Sequence, residues 1–448
     1  MSLIQQVREK LYNIHVLSLL TNGSVAVIGM VTYALLCHTL TLTERGVWLM
    51  FQSTFLLTDS LRTGFLSTGF IKFYAGTTAE VARRVAGSAW LIAIVITLIF
   101  CCISIPGIFL SHLIEDAGLV FFLKWFGVLS LISLPYFMAS CIVQAESRFD
   151  RFLKLRLVNL ISFMAGIVLL LFFYELSVLS VVYAYFISFV ISSLFALLSG
   201  WSRISTIRQQ TKANVLELYH FGKYTVGTAL SYNFFLTIDN FMINFMLGPA
   251  ALAVFDIGVK LLEIIEIPLR SFAASGMPIL SGAFNRNEKE TVIQTMKKLI
   301  GMLTMVMIPI VLLVIVFAEI PIGLLGGGKY LNTEAVNLFR LFMLFALLSP
   351  ADRFFALTLD AVHRPGVNFY KVLVMLLLTL IFDYVGIALM GNIYGIAFAS
   401  LVPVTTGIVI SYLALQKYAV FGFWDVYRYG YQETKTAIGN IFSRFRKG

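Results

Sequence analysis

Stretches of about twenty mostly apolar residues, the length that a bilayer demands of a helix, recur from one end of this sequence to the other. We place about twelve of them, at 14–40, 47–74, 84–110, 117–144, 153–174, 177–199, 222–247, 250–280, 292–318, 334–361, 367–389 and 393–416. The chain has 448 residues and is 59% hydrophobic and 12% charged. Soluble domains carry about 25% charged residues, so this apolar excess has no place in a single water-soluble core. Within hydrocarbon every backbone polar group must be bonded internally. The expected fold class is therefore an all-α polytopic membrane protein with about 12 transmembrane helices.

The connecting segments alternate in charge. One set carries Arg8 and Lys10, Arg83 and Arg84, Arg148, Arg151, Lys154 and Arg156, then Arg203, Arg208 and Lys212, then Arg286 and Lys289, then Arg364. The other set is nearly bare of cations and offers Glu115 and Asp116. Basic loops stay in the cytoplasm, which places both termini there, in agreement with an even number of spans. The net charge of +10 is accounted for by these loops facing anionic lipid. No basic run is interleaved with aromatics, so nucleic acid is excluded as a partner. Cys37, Cys101, Cys102 and Cys141 lie in apolar stretches without ligand spacing and read as core residues, neither disulfides nor metal ligands. The first apolar run lacks a cleavage site and should remain in the mature protein.

The longest polar interruption, 201–221, divides the chain. We expect an N-terminal six-helix lobe over 1–200, a cytoplasmic linker over 201–221, a C-terminal six-helix lobe over 222–417 and a cytoplasmic amphipathic tail over 418–448. The halves also resemble each other. A constant offset sets Asp59 of span two against Glu266 of span eight, Phe65 against Phe272 and Gly69 against Gly276. Spans four and ten align Lys124 with Arg340, and Pro135 with Pro350 to within one position. Repeats of this kind place a substrate site in a central cavity between them.

Span eight contains "VFDIGVKLLEIIEIPLR". On a helix, Asp256, Lys260, Glu263 and Arg270 fall within about 80° of one another, with Glu266 at the edge of the stripe. A charge at the bilayer centre costs about 2.5–3.5 kcal/mol on insertion scales, so this face should border water. Pro268 should kink the helix near its inner end. Span two repeats the pattern with Gln52, Asp59, Arg62 and Thr63. Asp59, Arg62, Asp256, Lys260, Glu263, Glu266 and Arg270 are therefore the expected cavity residues. Asp239 and Glu263 are candidates for a proton or sodium site. Asp352, Arg353 and Asp360, with His363 nearby, are candidates for an inner gate. Lys124 and Arg340 suit snorkelling as well as function, and Asp383 is a further charge within span eleven. In the tail, Ile438, Ile441, Phe442 and Phe445 alternate with basic residues as on a helix lying on the inner leaflet.

Catalytic motifs are lacking. "LLGGGKYL" has Tyr330 after Lys329, where a phosphate-binding loop needs Ser or Thr. Neither HExxH nor GxSxG occurs. No ATP-driven step and no enzyme activity are expected, and no resident cofactor or metal beyond H+ or Na+ as a coupling ion.

"IGLLGGGKYLNTEAVNLFRLFML", through Gly326, Tyr330, Ala335 and Leu338, resembles the glycine–tyrosine loop of the multidrug/oligosaccharidyl-lipid/polysaccharide (MOP) exporter superfamily. "SFAASGMPILSGAFNRNEKE", with Pro278, and "LDAVHRPGVNF" resemble other segments of its polysaccharide-transporter branch, the Wzx-type flippases. The resemblance implies a MATE-like pair of lobes and alternating access. It implies a polyprenyl-diphosphate-linked oligosaccharide, such as an O-antigen repeat unit, as cargo. The implied setting is the bacterial inner membrane, with a polysaccharide polymerase and glycosyltransferases as pathway partners. Arg62, Lys260 and Arg270 would then attract the diphosphate. The alternative is an ion-coupled multidrug or cation antiporter of the same superfamily. One variety of those resembles proteins with an acidic residue in span one, which this sequence lacks.

Overall fold

In the computed structural model, backbone is described for residues 14–173 and 176–445, and helix is the only regular element among them. Helices α1 (Ile14–Thr39), α2 (Leu42–Tyr74), α3 (Ala79–Leu110), α4 (Ala117–Ile132), α5 (Leu134–Ala145), α6 (Phe149–Phe173), α7 (Val178–Leu198) and α8 (Lys212–Leu247) come first. Then follow α9 (Pro249–Ile265), α10 (Ile267–Asn285), α11 (Lys289–Val316), α12 (Glu319–Gly326), α13 (Gly328–Leu331), α14 (Ala335–Ala346) and α15 (Ser349–Ala361). The chain continues through α16 (Pro365–Met390), α17 (Tyr394–Ala399), α18 (Leu401–Gln416) and α19 (Asp425–Phe445). Each expected span coincides with one helix or with two joined end to end. This is a multi-pass all-α membrane protein.

Among the described residues, 6 helices are long and apolar enough to cross a membrane, or up to 8 if each bent pair is one span. At 33 and 36 residues, α2 and α8 are long enough. Polarity is what keeps them out of that set, and α2 is one of the two spans expected to border water.

Side-chain caps fix the helix starts. Thr41 and Glu44 form a reciprocal capping box at α2; Asp116 Oδ1 accepts from the Leu119 N–H at 2.7 Å at α4. These caps satisfy amides that the helix leaves bare. The left-handed Gly248 and Gly391 (φ 90° and 64°) close α8 and α16, a conformation that glycine adopts without strain.

Proline makes the breaks. Pro135 and Pro350 each sit in the first turn of a second half-helix, where the missing N–H costs nothing. The α4–α5 pair bends by 51° and the α14–α15 pair by 42°. These are the two spans that the internal repeat aligns. Pro268 does the same at the α9–α10 break, where Glu266 occupies the N-cap position of the second helix.

By contacts the chain divides into two compact units, Met1–Ala250 and Ala251–Gly448. The boundary lies beyond the polar segment 201–221, which holds a 3-10 turn over Ile204–Gln209 and the start of α8. α8 stays with the first unit because small residues let it lie along α2. A Cβ at Gly64 would strike Ala229, one at Gly69 would lie 3.0 Å from Phe221, and one at Gly222 would lie 2.6 Å from the Phe65 carbonyl. Lipid supplies no hydrophobic drive between helices, so close approach of this kind holds them together. Asn240 also donates to Ser53 Oγ at 2.9 Å. The core of this unit is aromatic, with Trp48 stacked on Phe51 and Phe163. The Trp90 indole N–H reaches the Ser202 carbonyl at 2.8 Å.

In the second unit, the first half of the tail helix α19 packs along α11. Gly301 and Gly430 bring the two backbones together, and Lys298 pairs with Glu433 at 2.6 Å. The side chains of Ile438, Ile441, Phe442 and Phe445 lie outside the described residues. A Gly430→Val change puts its Cβ into Gly301 backbone, which cannot swing aside, at a cost on the order of 1–3 kcal/mol. Limited proteolysis should then release the tail at a lower protease dose than in the unaltered chain.

Candidate functional site

The charged stripe belongs to the second unit. Leu252, Phe255, Ile257, Gly258 and Leu261 form the buried side of α9. Gly258 lets the Phe342 ring come so close that a Cβ would lie 3.0 Å from it. Gly326 lies against the same helix, with the Tyr330 ring also packed against it. Tyr330 is fully buried, and a Cβ on Gly326 would lie 2.7 Å from Ile257 Cδ1. Ala335 and Leu338 are also buried. The glycine–tyrosine loop is thus a packing device that fixes the rotation of α9 and so the direction of its charges.

Those charges emerge on the other side. Lys260 Nζ pairs with Glu263 at 2.9 Å, with side chains 39% and 47% exposed. Arg270 lies 3.8 Å from Glu266, and Asp256 is half-buried. Over the fourteen residues from Asp256 to Arg270, at about 1.5 Å per residue, the stripe runs roughly 21 Å. Exposed ion pairs are worth about 0.2–1 kcal/mol, so each cation can exchange its carboxylate for another anion.

Arg62 is placed differently from the sequence expectation. Its side chain is 2% exposed and turned into the first unit, where Nη2 meets Asp59 at 2.7 Å. Nη1 donates to the Ser130 carbonyl at 2.8 Å and Nη2 to Ser133 Oγ at 2.9 Å. The Phe137 ring lies 4.9 Å beneath the guanidinium. The physical reason is the bend between α4 and α5. It frees carbonyls at the end of α4, and a planar guanidinium satisfies two acceptors at once. The second unit has a counterpart. Glu266 Oε1 accepts from Ser349 Oγ at 3.1 Å, which ties the α9–α10 break to the start of α15. In both units, a polar residue of the span that aligns as two or eight holds the break of the span that aligns as four or ten.

Two neighbours in fold are an inward-facing multidrug resistance MATE transporter of the MOP superfamily and the lipid II flippase MurJ in an inward closed conformation. The first is 13% identical with a TM-score of 0.70, covering 92% of this chain and 95% of that one. The second is 14% identical with a TM-score of 0.71, covering 93% and 90%. Likeness at this identity shows the shared fold. No curated protein sequence matches the chain. The family model "Polysaccharide biosynthesis protein" matches residues 53–335. The chain belongs to the polysaccharide biosynthesis protein family. Its fold is that of MOP-superfamily transporters.

In this family member the gate candidates have separate neighbours. Asp352 pairs with Lys371 at 2.9 Å, Lys371 being 5% exposed. Asp360 accepts from Asn368 at 2.7 Å, and Arg353 is exposed. Lys371 is the partner that the sequence reading missed; its only signal was a lysine at the seventh position of α16. Asp239 is half-buried on α8, and Asp383 is fully buried on α16. Arg340 bonds the Ile315 carbonyl, Asn337 and, at 3.5 Å, Glu319, which makes it a tie between α11, α12 and α14. Lys124 is exposed. Among the described residues no group of three or more His, Cys, Asp or Glu could hold a metal ion.

Lys371→Met strands Asp352 beside apolar packing, yet Asp352 is 32% exposed, so water offsets part of the loss. We expect a destabilisation on the order of 1–3 kcal/mol, below the 3–5 seen when fully buried pairs are broken. A double-mutant cycle with Asp352→Leu, read by thermal unfolding in detergent, should recover most of it.

Proposed function

We propose that the chain is a flippase that carries a polyprenyl-diphosphate-linked oligosaccharide from the cytoplasmic to the outer leaflet of the bacterial inner membrane by alternating access, with both termini cytoplasmic. The observation that carries this is the one-sided charged face of α9–α10, with Lys260 and Arg270 exposed, in a member of a polysaccharide biosynthesis family. A diphosphate cannot cross hydrocarbon bare. On this face it finds cations whose present carboxylate partners are weakly held. Lys260 leaves Glu263 for a phosphate oxygen. Arg270 offers a second donor nearer the inner end. The prenyl chain stays in lipid, so only the head travels along the polar path.

The test is complementation of a bacterial strain that lacks its polysaccharide flippase. Restored surface polysaccharide supports the reading. No restoration by a correctly inserted chain, across strains differing in repeat unit, contradicts it. One observation favours a second reading, ion-coupled export of cationic drugs: the stripe holds three carboxylates and two cations. Broad drug resistance on overexpression, without complementation, would select that reading.

A further inference from the structure

One surface of the first unit is unexplained by the charged stripe. α8 enters the apolar region near Gly222, yet its exposed side from Lys223 to Tyr232 is neither apolar nor packed. Lys223, Tyr224, Gly227, Thr228, Ser231 and Tyr232 are all exposed, and they occupy about half of the helix circumference. Tyr224 and Tyr232 are 71% and 59% exposed. Lys223 Nζ lies over the Tyr224 ring, 4.9 Å from its centre. A Cβ added at Gly227 would meet nothing within 4 Å, so the backbone one turn on from Tyr224 is open to a flat molecule.

An interfacial aromatic belt does not account for this face. Belt residues stay at headgroup level, whereas Tyr232 stands about 12 Å along the helix from Tyr224 at 1.5 Å per residue. The hydroxyls give a second, independent indication. Thr54, Thr58 and Thr237 each donate to the carbonyl four residues back, the usual refuge of a hydroxyl in lipid. Among the described residues, Thr228 and Ser231 make no such bond, and the Tyr224 and Tyr232 hydroxyls have no protein partner. Unbonded hydroxyls beside open aromatic faces suit water and a polyhydroxylated ligand, not acyl chains. Aromatic bodies with polar tips combine apolar contact with orienting hydrogen bonds, the combination found in small-molecule sites.

We propose that this face of α8 is the glycan subsite. Sugar rings stack on Tyr224 and Tyr232 on either side of Thr228, and their hydroxyls bond Thr228, Ser231 and the tyrosine oxygens. The ligand class is the neutral or weakly charged oligosaccharide head of the cargo. The inference rests on the flippase reading, and the experiment separates the two.

The full-length protein in nanodiscs is titrated with undecaprenyl diphosphate and with undecaprenyl-diphospho-N-acetylglucosamine. The unaltered chain should bind the sugar-bearing lipid roughly tenfold more tightly than the bare one. Tyr224→Ala with Tyr232→Ala should erase that difference and leave affinity for the bare lipid unchanged. The paired Phe variants should retain most of it, since they keep the rings. Lys260→Ala should weaken both lipids alike. Equal affinity of the unaltered chain for the two lipids overturns the glycan subsite and leaves the flippase reading standing. So does a difference that survives in the double-alanine chain, as it would if these tyrosines faced lipid. Binding of neither lipid overturns the flippase reading itself, and the subsite with it.

Discussion

Replacing Arg62 by alanine is expected to cost the protein its fold more than its cargo. The guanidinium is buried and serves Asp59, Ser130 and Ser133 together. Its removal leaves a carboxylate uncompensated and a helix end bare. Breaking a buried charge pair in this way costs about 3–5 kcal/mol. The yield of purified protein should collapse, and the remainder should unfold at a clearly lower temperature. Lysine should not rescue it, because one ammonium cannot span the carbonyl, hydroxyl and carboxylate that the planar fork reaches. Asp59→Leu with Arg62→Met should restore part of the stability, since apolar replacement of a buried pair is often tolerated. An Arg62→Ala chain of normal yield and unfolding temperature, yet dead in transport, would return this residue to the cargo path.

Lys260→Ala should do the reverse. Its ion pair is exposed, so stability should change by no more than about 0–1 kcal/mol. Loss of one hydrogen bond between an ammonium and a phosphate removes about 1.5–3 kcal/mol, or roughly a 10- to 150-fold drop in transport at low cargo concentration. Arginine should substitute in part. Glu263→Gln should tighten binding of the bare diphosphate lipid by a few fold, because the competing carboxylate is gone. Initial transport rates at matched protein levels, with unfolding curves beside them, distinguish these outcomes.

Local physics made much of this molecule legible in advance. Apolar run length located the spans, because hydrocarbon admits little other than helix. Pro268 marked the α9–α10 break, because a proline ring cannot continue the preceding turn, whereas Pro135 and Pro350 stood out only as an aligned pair. Helical periodicity put Lys260, Glu263 and Arg270 on one exposed side. What remained hidden depends on distant parts of the chain. Both Arg62 and Lys260 read as charges within a span. Only the bend between α4 and α5, which supplies acceptors at Ser130 and Ser133, sends the first inward, while the packing of Gly326 and Tyr330 turns the second outward. Lys371 finds Asp352 on a neighbouring helix, and no spacing rule relates 352 to 371. The polar surface from Lys223 to Tyr232 was overlooked because Tyr, Thr, Ser and Gly are unremarkable in a span until their hydroxyls prove unbonded.

The central claim is that the α9–α10 face carries a diphosphate-linked sugar across the bilayer. Its most direct test uses vesicles reconstituted with the full chain and loaded with undecaprenyl-diphospho-N-acetylglucosamine. An added lectin or glycosyltransferase then reads how much sugar reaches the outside over time. The account predicts that the unaltered chain makes the inner-leaflet pool accessible, whereas Lys260→Ala with Arg270→Ala leaves it as inaccessible as in protein-free vesicles. Equal exposure by the double variant and the unaltered chain would contradict it.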